Sequence, residues 1–167
     1  ADAKVGDTLV LGKPIGVGVL SAALKKEKLG AEGYAQMIAN TTKLNKPGVP
    51  LADLPGVHAL TDIAGFVLCG HGLELARGAK VQVQIDWAKV PFLSGVKDMA
   101  AQGFVTGASG RNWDAYGPEV TLPSGFSEAE KALLTDPQTS GGLLVSCSPD
   151  SVDAVLKIFK DGGFESA

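Results

Sequence analysis

The order of apolar and polar residues divides the chain into short segments, some with the period of a β-strand and others with that of a helix. β-rich stretches predict strands at residues 8–11, 57–62 and 143–147, and the second of these is expected to be buried. Residues 81–85 alternate between apolar and polar side chains, which predicts a further strand with one face in water.

Helical spacing of apolar residues fills most of the intervals between these strands. Ser127 and Glu130 have the spacing of a capping box, which opens a helix, and Gly78 is a typical helix stop. Proline and glycine content predicts loops at residues 45–55 and 104–126. The predicted helices are residues 19–28, 34–44, 65–77, 95–102, 128–134 and 150–160. This alternation predicts an α/β (α+β layered) domain in which helices pack on a mixed β-sheet.

Composition places the chain among globular domains and argues against two classes of partner. Its 167 residues suffice for one domain, and 45% hydrophobic and 20% charged residues are globular values. The formal net charge is −3, and no basic cluster indicates a nucleic-acid or membrane surface. No apolar run reaches the ~20 residues of a membrane span. Cys69 and Cys147 lie far apart and are interpreted as reduced, buried side chains, which favours the cytoplasm.

Both ends of the chain are expected to be cuts in a longer protein. The chain starts with Ala1 rather than Met and enters a strand within a few residues. It stops shortly after Gly162 and Gly163, where an α/β unit normally enters another strand. We therefore expect the final strand to be missing or incomplete.

The first candidate for chemistry is Asp62, where a predicted strand gives way to a predicted helix. A carboxylate there either caps the helix or binds Mg²⁺, which prefers oxygen ligands shared with phosphates. Thr61 precedes Asp62, and Gly65 lies at the predicted helix start, where free N–H groups suit a phosphate. The pattern alone leaves capping and metal binding both open.

Three further residues in the same segment favour packing over chemistry. Gly70 and Gly72 each cost ~1 kcal/mol against alanine inside a helix, so we expect close helix packing there. His71 lies between them and is more typical of a packed or hydrogen-bonded histidine than of an acid–base group.

Two glycine-containing turns are the remaining candidates. The segment DPQTSGG at residues 136–142 holds more polar residues than a plain turn needs, and its N–H groups are expected to meet an anion. A tight connection with glycines at positive φ is the alternative. Residues 12–18 contain Gly16 and Gly18 but no P-loop ending, and Lys13 is interpreted as a surface or domain-contact residue. No catalytic residue is predicted in this chain, because no nucleophile–base pair has a plausible spacing.

Four stretches resemble the C-terminal domain of the selenophosphate synthetase (selenide, water dikinase) family. They are VGDTLVLGKPIG at 5–16, ALTDIAGF at 59–66, VTG through RN at 105–112, and DPQTSGGLL at 136–144. Residues 41–46, TTKLNK, resemble a further family stretch. The wider superfamily, which includes aminoimidazole ribonucleotide synthetase, has two α/β domains per subunit. The resemblance implies that residues 1–167 are the single C-terminal domain of such an enzyme, without its ATP-binding N-terminal domain.

The resemblance also implies a reaction and its cofactors. The family converts ATP, selenide and water to selenophosphate, AMP and phosphate with Mg²⁺, as a homodimer formed through the N-terminal domains. The reactive Cys or selenocysteine and the essential Lys lie in the absent half. Asp62 matches a family metal ligand, and Thr61, Gly65, Thr139, Ser140, Gly141 and Gly142 are the residues expected near phosphate or nucleotide.

One departure and two alternatives accompany this resemblance. Val67 stands where the family usually has glycine, which puts backbone approach to a ligand there in doubt. Another ATP-dependent superfamily member with a different acceptor is one alternative. A non-catalytic paralogue that acts as a binding or regulatory domain is the other.

Overall fold

The sheet is built around the strand that comes last in the chain. Strands β1 (Thr8–Leu11), β2 (Val57–Asp62) and β3 (Leu143–Cys147) have the order β1-β3-β2, and both ladders are antiparallel. This arrangement comes from a computed structural model that describes residues 2–167. All five residues of β3 are buried, as expected for the central strand of a sheet covered on both faces.

Eight helices surround the sheet in the described part of the chain. The hydrophobic core has a separate cluster on each face of β3. Val145 packs with Val155 and Phe159 on one face, and Leu144 packs with Leu68 and Leu75 on the other. Burial of each large apolar side chain contributes about 1.5–3 kcal/mol. The helices are α1 (Val17–Lys25), α2 (Ala31–Thr42), α3 (Gly48–Ala52), α4 (Val67–Ala79), α5 (Val96–Ala101), α6 (Gly107–Tyr116), α7 (Glu128–Leu134) and α8 (Val152–Asp161).

The predicted layered architecture of helices on a sheet is confirmed, but the sheet is antiparallel and not mixed. The bounds of the three predicted strands and of α7 are also confirmed, and α7 has both hydrogen bonds of the capping box between Ser127 and Glu130. The prediction that β2 is buried is wrong, because β2 lies at a sheet edge and Leu60 is 37% exposed. Helix α4 continues through Gly78 and ends at Ala79, and its C-cap is Lys80, whose φ is 57°.

Two predicted loops contain helices. Residues 45–55 include the short helix α3, and residues 104–126 include α6 followed by a 3-10 turn. The sequence pattern did not predict α6, because the buried face of this helix is largely polar. Its buried residues are Ser109, Asn112 and Tyr116. Thr106 caps its first turn by accepting a hydrogen bond from the Ser109 amide.

Residues 81–85 do not form a strand, contrary to the sequence prediction. Their alternation persists, since the valines and the isoleucine are partly buried while Gln82 and Gln84 are exposed. No strand pairs with them anywhere in residues 2–167. They lie across a groove of about 620 Å³ from β1, whose outer edge has no partner strand in the described chain. A strand after residue 163 stays a prediction.

Helix α4 begins with a residue in an unusual backbone conformation. Val67 has a φ of 66°, which is unfavourable for a β-branched residue. Its side chain is fully buried and packs with Cys69, Tyr116 and Leu134. A positive φ therefore accounts for the glycine that the resembling family usually has at this position, and packing of the valine offsets the strain here.

Two substitutions at Val67 separate the strain from the packing. Val67→Gly and Val67→Ala both lose most of the buried side chain, but only glycine tolerates the positive φ without a steric cost. We expect the Gly variant to have the higher free energy of unfolding, by about 1 kcal/mol. Urea unfolding of both variants measures this difference. An Ala variant that equals or exceeds the Gly variant in stability would contradict the strained conformation.

Candidate functional site

The sequence candidates meet at one end of the sheet. Because β1 and β2 are both antiparallel to β3, their last residues lie beside the first residues of β3. The Gly12 amide donates to the Leu143 carbonyl over 2.8 Å, and the Ile63 amide donates to the Gly142 carbonyl over 2.9 Å. The residues brought to this sheet end are Thr61, Asp62, Gly65, Thr139, Ser140, Gly141 and Gly142.

Asp62 is the last residue of β2, and its carboxylate is free. The residue is exposed, and no hydrogen bond or ion pair within residues 2–167 involves its carboxylate oxygens. The N-cap of α4 is Phe66, without a side-chain cap, so Asp62 does not cap this helix. The neighbouring Thr61 hydroxyl donates to the Asp62 carbonyl over 3.4 Å. Of the two readings of Asp62, capping is therefore wrong, and an exposed carboxylate available to a cation remains.

Two side chains of α6 bind the loop between Asp62 and α4. The Asn112 side-chain amide donates to the Gly65 carbonyl over 3.0 Å, and the Tyr116 hydroxyl donates to the Phe66 carbonyl over 2.7 Å. Gly65 is not at the helix start, so the helix dipole of α4 does not begin at this residue. A Cβ on Gly65 would meet nothing within 4 Å, so packing does not require glycine there.

Asn112 is a positioning residue that sequence reasoning missed. Its amide nitrogen also approaches the Thr135 carbonyl, at 3.4 Å, immediately before the DPQTSGG turn. One buried side chain thus ties the Asp62 loop to that turn. Asn112 belonged to a stretch that resembled the family, but the stretch was predicted to be a loop and offered no signal for this role.

Two side chains of the DPQTSGG turn point inward and cap α1. The Gln138 Oε1 atom accepts from the amides of Gly16 and Val17 at 3.1 and 3.2 Å. The Asp136 Oδ2 atom accepts from the Gly18 amide at 3.0 Å. The N-cap of α1 is Gly16, which has no side chain, so these two residues satisfy the free amides of the first turn. A Cβ on Gly18 would lie 2.3 Å from Asp136 Oδ1.

Asp136 is a carboxyl group deep inside the protein. It is 1% exposed, and its Oδ1 atom has no hydrogen-bond partner in the described chain. Burial raises the pKa of Asp136 to about 7, against the lowering effect of the hydrogen bonds from Gln138 and from the amides of Val19 and Gly18.

The other half of the turn leaves backbone amides without protein acceptors, at two exposed residues and at the buried Gly141 and Gly142. Thr139 and Ser140 are exposed, and Ser140 has a φ of 48°. Within residues 2–167, none of the four amides of residues 139–142 donates to a protein acceptor. A Cβ on Gly141 would lie 2.1 Å from the Ile63 carbonyl oxygen, and one on Gly142 would lie 2.3 Å from the Lys13 nitrogen. Consecutive free amides of this kind suit an anion.

Lys13 and His71 are buried, and Gly70 is closely packed. The interpretation of Lys13 as a surface residue is wrong, because it is only 2% exposed. A Cβ on Gly70 would lie 3.0 Å from the Tyr116 ring, which agrees with the expected close packing, whereas Gly72 has ordinary clearance. His71 is buried, and its Nδ1 atom pairs with Glu74 at 2.9 Å.

Two features are absent from residues 2–167. No group of three or more His, Cys, Asp or Glu side chains has an arrangement suited to a metal ion. No helix combines the length and the apolar character needed to cross a membrane. Cys69 and Cys147 are free and buried, as the sequence predicted.

Comparison with known proteins places the chain in a family. A family model described as "AIR synthase related protein, C-terminal domain" matches residues 4–167. The chain belongs to this family. Full-chain relatives of this AIR synthase related domain include proteins named selenide, water dikinase from Burkholderia pseudomallei (strain K96243) and from Pseudomonas straminea, both 64% identical over 167 residues. A protein of the same name from Rhizobium meliloti (strain 1021) is 49% identical over 164 residues, or 98% of this chain.

These relatives are much longer than the chain. The 167 residues span about half of the curated relatives that they match, 47% in each of these three cases. Each of these relatives therefore has about as many residues again outside the region that the chain matches.

Asp136 gives the domain a specific dependence of stability on pH. Its pKa is about 7 in the folded state against 3.8 ordinarily, so between these values the folded state holds a proton that the unfolded state releases. Stability therefore falls as pH rises from about 4 to 7. We expect Asp136→Asn to remove about 2 kcal/mol of this fall between pH 5 and pH 8. Urea unfolding at both pH values measures it, and equal pH dependence in the two proteins would show that Asp136 titrates normally.

Proposed function

We propose that this chain is the C-terminal domain of an ATP-dependent selenophosphate synthetase (selenide, water dikinase) and forms one wall of its Mg-ATP site. The observation that carries the proposal is the free carboxylate of Asp62 beside the free amides of residues 139–142. The names of the relatives that are 64% identical over the whole chain support this activity over other ATP-dependent reactions. The reaction converts ATP, selenide and water to selenophosphate, AMP and phosphate.

The residues at the sheet end fit the role of a partial metal and phosphate site. Asp62 offers oxygen ligands that no other protein group occupies, which suits Mg²⁺. Mg²⁺ supplies charge neutralisation to the phosphate oxygens of ATP when it is bound. Thr139, Ser140, Gly141 and Gly142 supply the amides for a phosphate group, while Thr61 precedes Asp62 in β2 and Gly65 belongs to the loop that follows it.

The remaining groups of the reaction belong to the other half of the protein. We assign the reactive Cys or selenocysteine, the essential Lys and the further metal ligands to the N-terminal domain. We expect the full-length protein to be a homodimer in the cytoplasm, and we assign no catalytic residue to this chain. Reading the residues upstream in the parent gene tests this division, because a nucleophile followed by a Lys in a Gly-rich segment is expected there.

Removal of the Asp62 charge tests the metal role. In the full-length protein, Asp62→Asn should lower kcat for ATP turnover by about 100-fold or more, because an amide is a poor substitute for a carboxylate that binds Mg²⁺. Asp53→Asn is the matched control, since Asp53 is also exposed but lies just after α3, towards the other end of β2. Steady-state assays across a Mg²⁺ titration give the comparison, with circular dichroism as the check on folding. Near-normal turnover in Asp62→Asn would overturn the metal assignment.

The chain by itself should bind Mg-ATP weakly. A Mg-nucleotide site normally uses several ligands, and this sheet end provides one free carboxylate. Isothermal calorimetry of the 167-residue chain with Mg-ATP is expected to give no saturation in the micromolar range. Micromolar binding to this chain would mean that the site is complete without the N-terminal domain.

A further inference from the structure

A buried ammonium group lies directly behind the candidate anion site. Lys13 follows β1, is 2% exposed and uses its Nζ atom to donate three hydrogen bonds. The acceptors are the carbonyls of Asn40 at 2.9 Å, Lys43 at 2.7 Å and Ser140 at 2.6 Å. All three N–H groups of the ammonium are therefore used. The contacts join the end of α2 to the DPQTSGG turn.

This ammonium has no counter-ion in the described chain. Within residues 2–167, no ion pair includes Lys13, and its only polar partners are backbone carbonyls. Burial lowers the pKa of Lys13, and the nearby Lys43 lowers it further. A buried charge without an opposite charge is costly, so the surroundings of Lys13 favour the arrival of an anion.

The same contact fixes the direction of the free amides. In a trans peptide the C=O and N–H groups point in opposite directions. Because the Ser140 carbonyl points to Lys13, the Gly141 amide points away from Lys13. The Gly141 carbonyl accepts from Asn45 Nδ2 at 2.8 Å, so the Gly142 amide points away from Asn45. Two successive carbonyls of the turn are therefore held by side chains, and the amide of each of these peptides points away from that side chain.

We propose that Lys13 is the positioning residue of this anion site: it fixes the Ser140–Gly141 peptide and supplies positive charge for a phosphate group of ATP at the amides of residues 139–142. This inference rests on the proposed function and extends it to a residue that does not touch the ligand. Lys13 acts through the backbone of the turn, and its charge reaches the phosphate across one peptide unit.

Neutralisation of Lys13 tests this role in the full-length protein. Lys13→Gln keeps N–H donors but removes the charge, and Lys46→Gln is the matched control because Lys46 is exposed in the adjacent loop. We expect Lys13→Gln to raise the dissociation constant for Mg-ATP about 10-fold or more and to raise KM for ATP more than it lowers kcat. An unchanged dissociation constant and KM in a folded Lys13→Gln protein would overturn the proposal, since a merely structural role changes only stability.

A second measurement uses the unaltered protein and does not depend on how well a variant folds. Hydrogen exchange of the backbone amides at residues 139–142 should slow by about 10-fold or more when Mg-ATP saturates the full-length protein. Exchange that Mg-ATP leaves unchanged at these four amides would overturn the proposal.

The Asp62 and Lys13 variants together separate this inference from the proposed function. If Asp62→Asn abolishes turnover while Lys13→Gln behaves as Lys46→Gln does, the Lys13 inference fails and the proposed function stands. If Lys13→Gln weakens Mg-ATP binding while Asp62→Asn keeps normal turnover, the metal role fails and the anion site remains.

Discussion

The candidate site depends on the turn at residues 136–142, which precedes β3. The side chains and the backbone of this turn make different kinds of contact. Its side chains face inward, where Asp136 and Gln138 take the place of an N-cap on α1. Its backbone amides at residues 139–142 remain free. Since the N-cap of α1 is a glycine without a side chain, the first turn of the helix depends on these two residues for its capping.

The polar residues of this turn therefore have different roles. Residue type alone does not reveal which of them support the fold and which are available to a ligand. A carboxylate and an amide in a glycine-containing turn are typical of a binding site, yet here both are buried and bound to backbone amides. The groups left for a ligand come from the backbone, which any residue supplies. Glycine is needed at 141 and 142 because the Ile63 carbonyl and the Lys13 backbone leave no room for a Cβ.

The residues of the candidate site were easier to single out from the sequence than the residues that support them. Asp62 and the turn were recognisable because strand ends and glycine pairs leave local patterns, and the three strands had the expected bounds. Lys13 was not recognisable, because its partners lie 27, 30 and 127 residues away and are carbonyls, which every residue carries. Helix α6 was missed for a related reason: its inner face is polar and has no apolar period. Residues 81–85 alternate correctly, but a strand also needs a partner.

The charges around the site argue for a metal–phosphate complex rather than for a free ion. Asp62 is an exposed anion at the end of β2, and Lys13 is a buried cation behind the adjoining turn. A free anion would be repelled by the first, and a free divalent cation would gain nothing from the free amides beside the second. A phosphate group that carries its own Mg²⁺ presents both signs at once and satisfies both. Under the proposed function, the two charges therefore act together, and the expected ligand is Mg-ATP rather than ATP without metal.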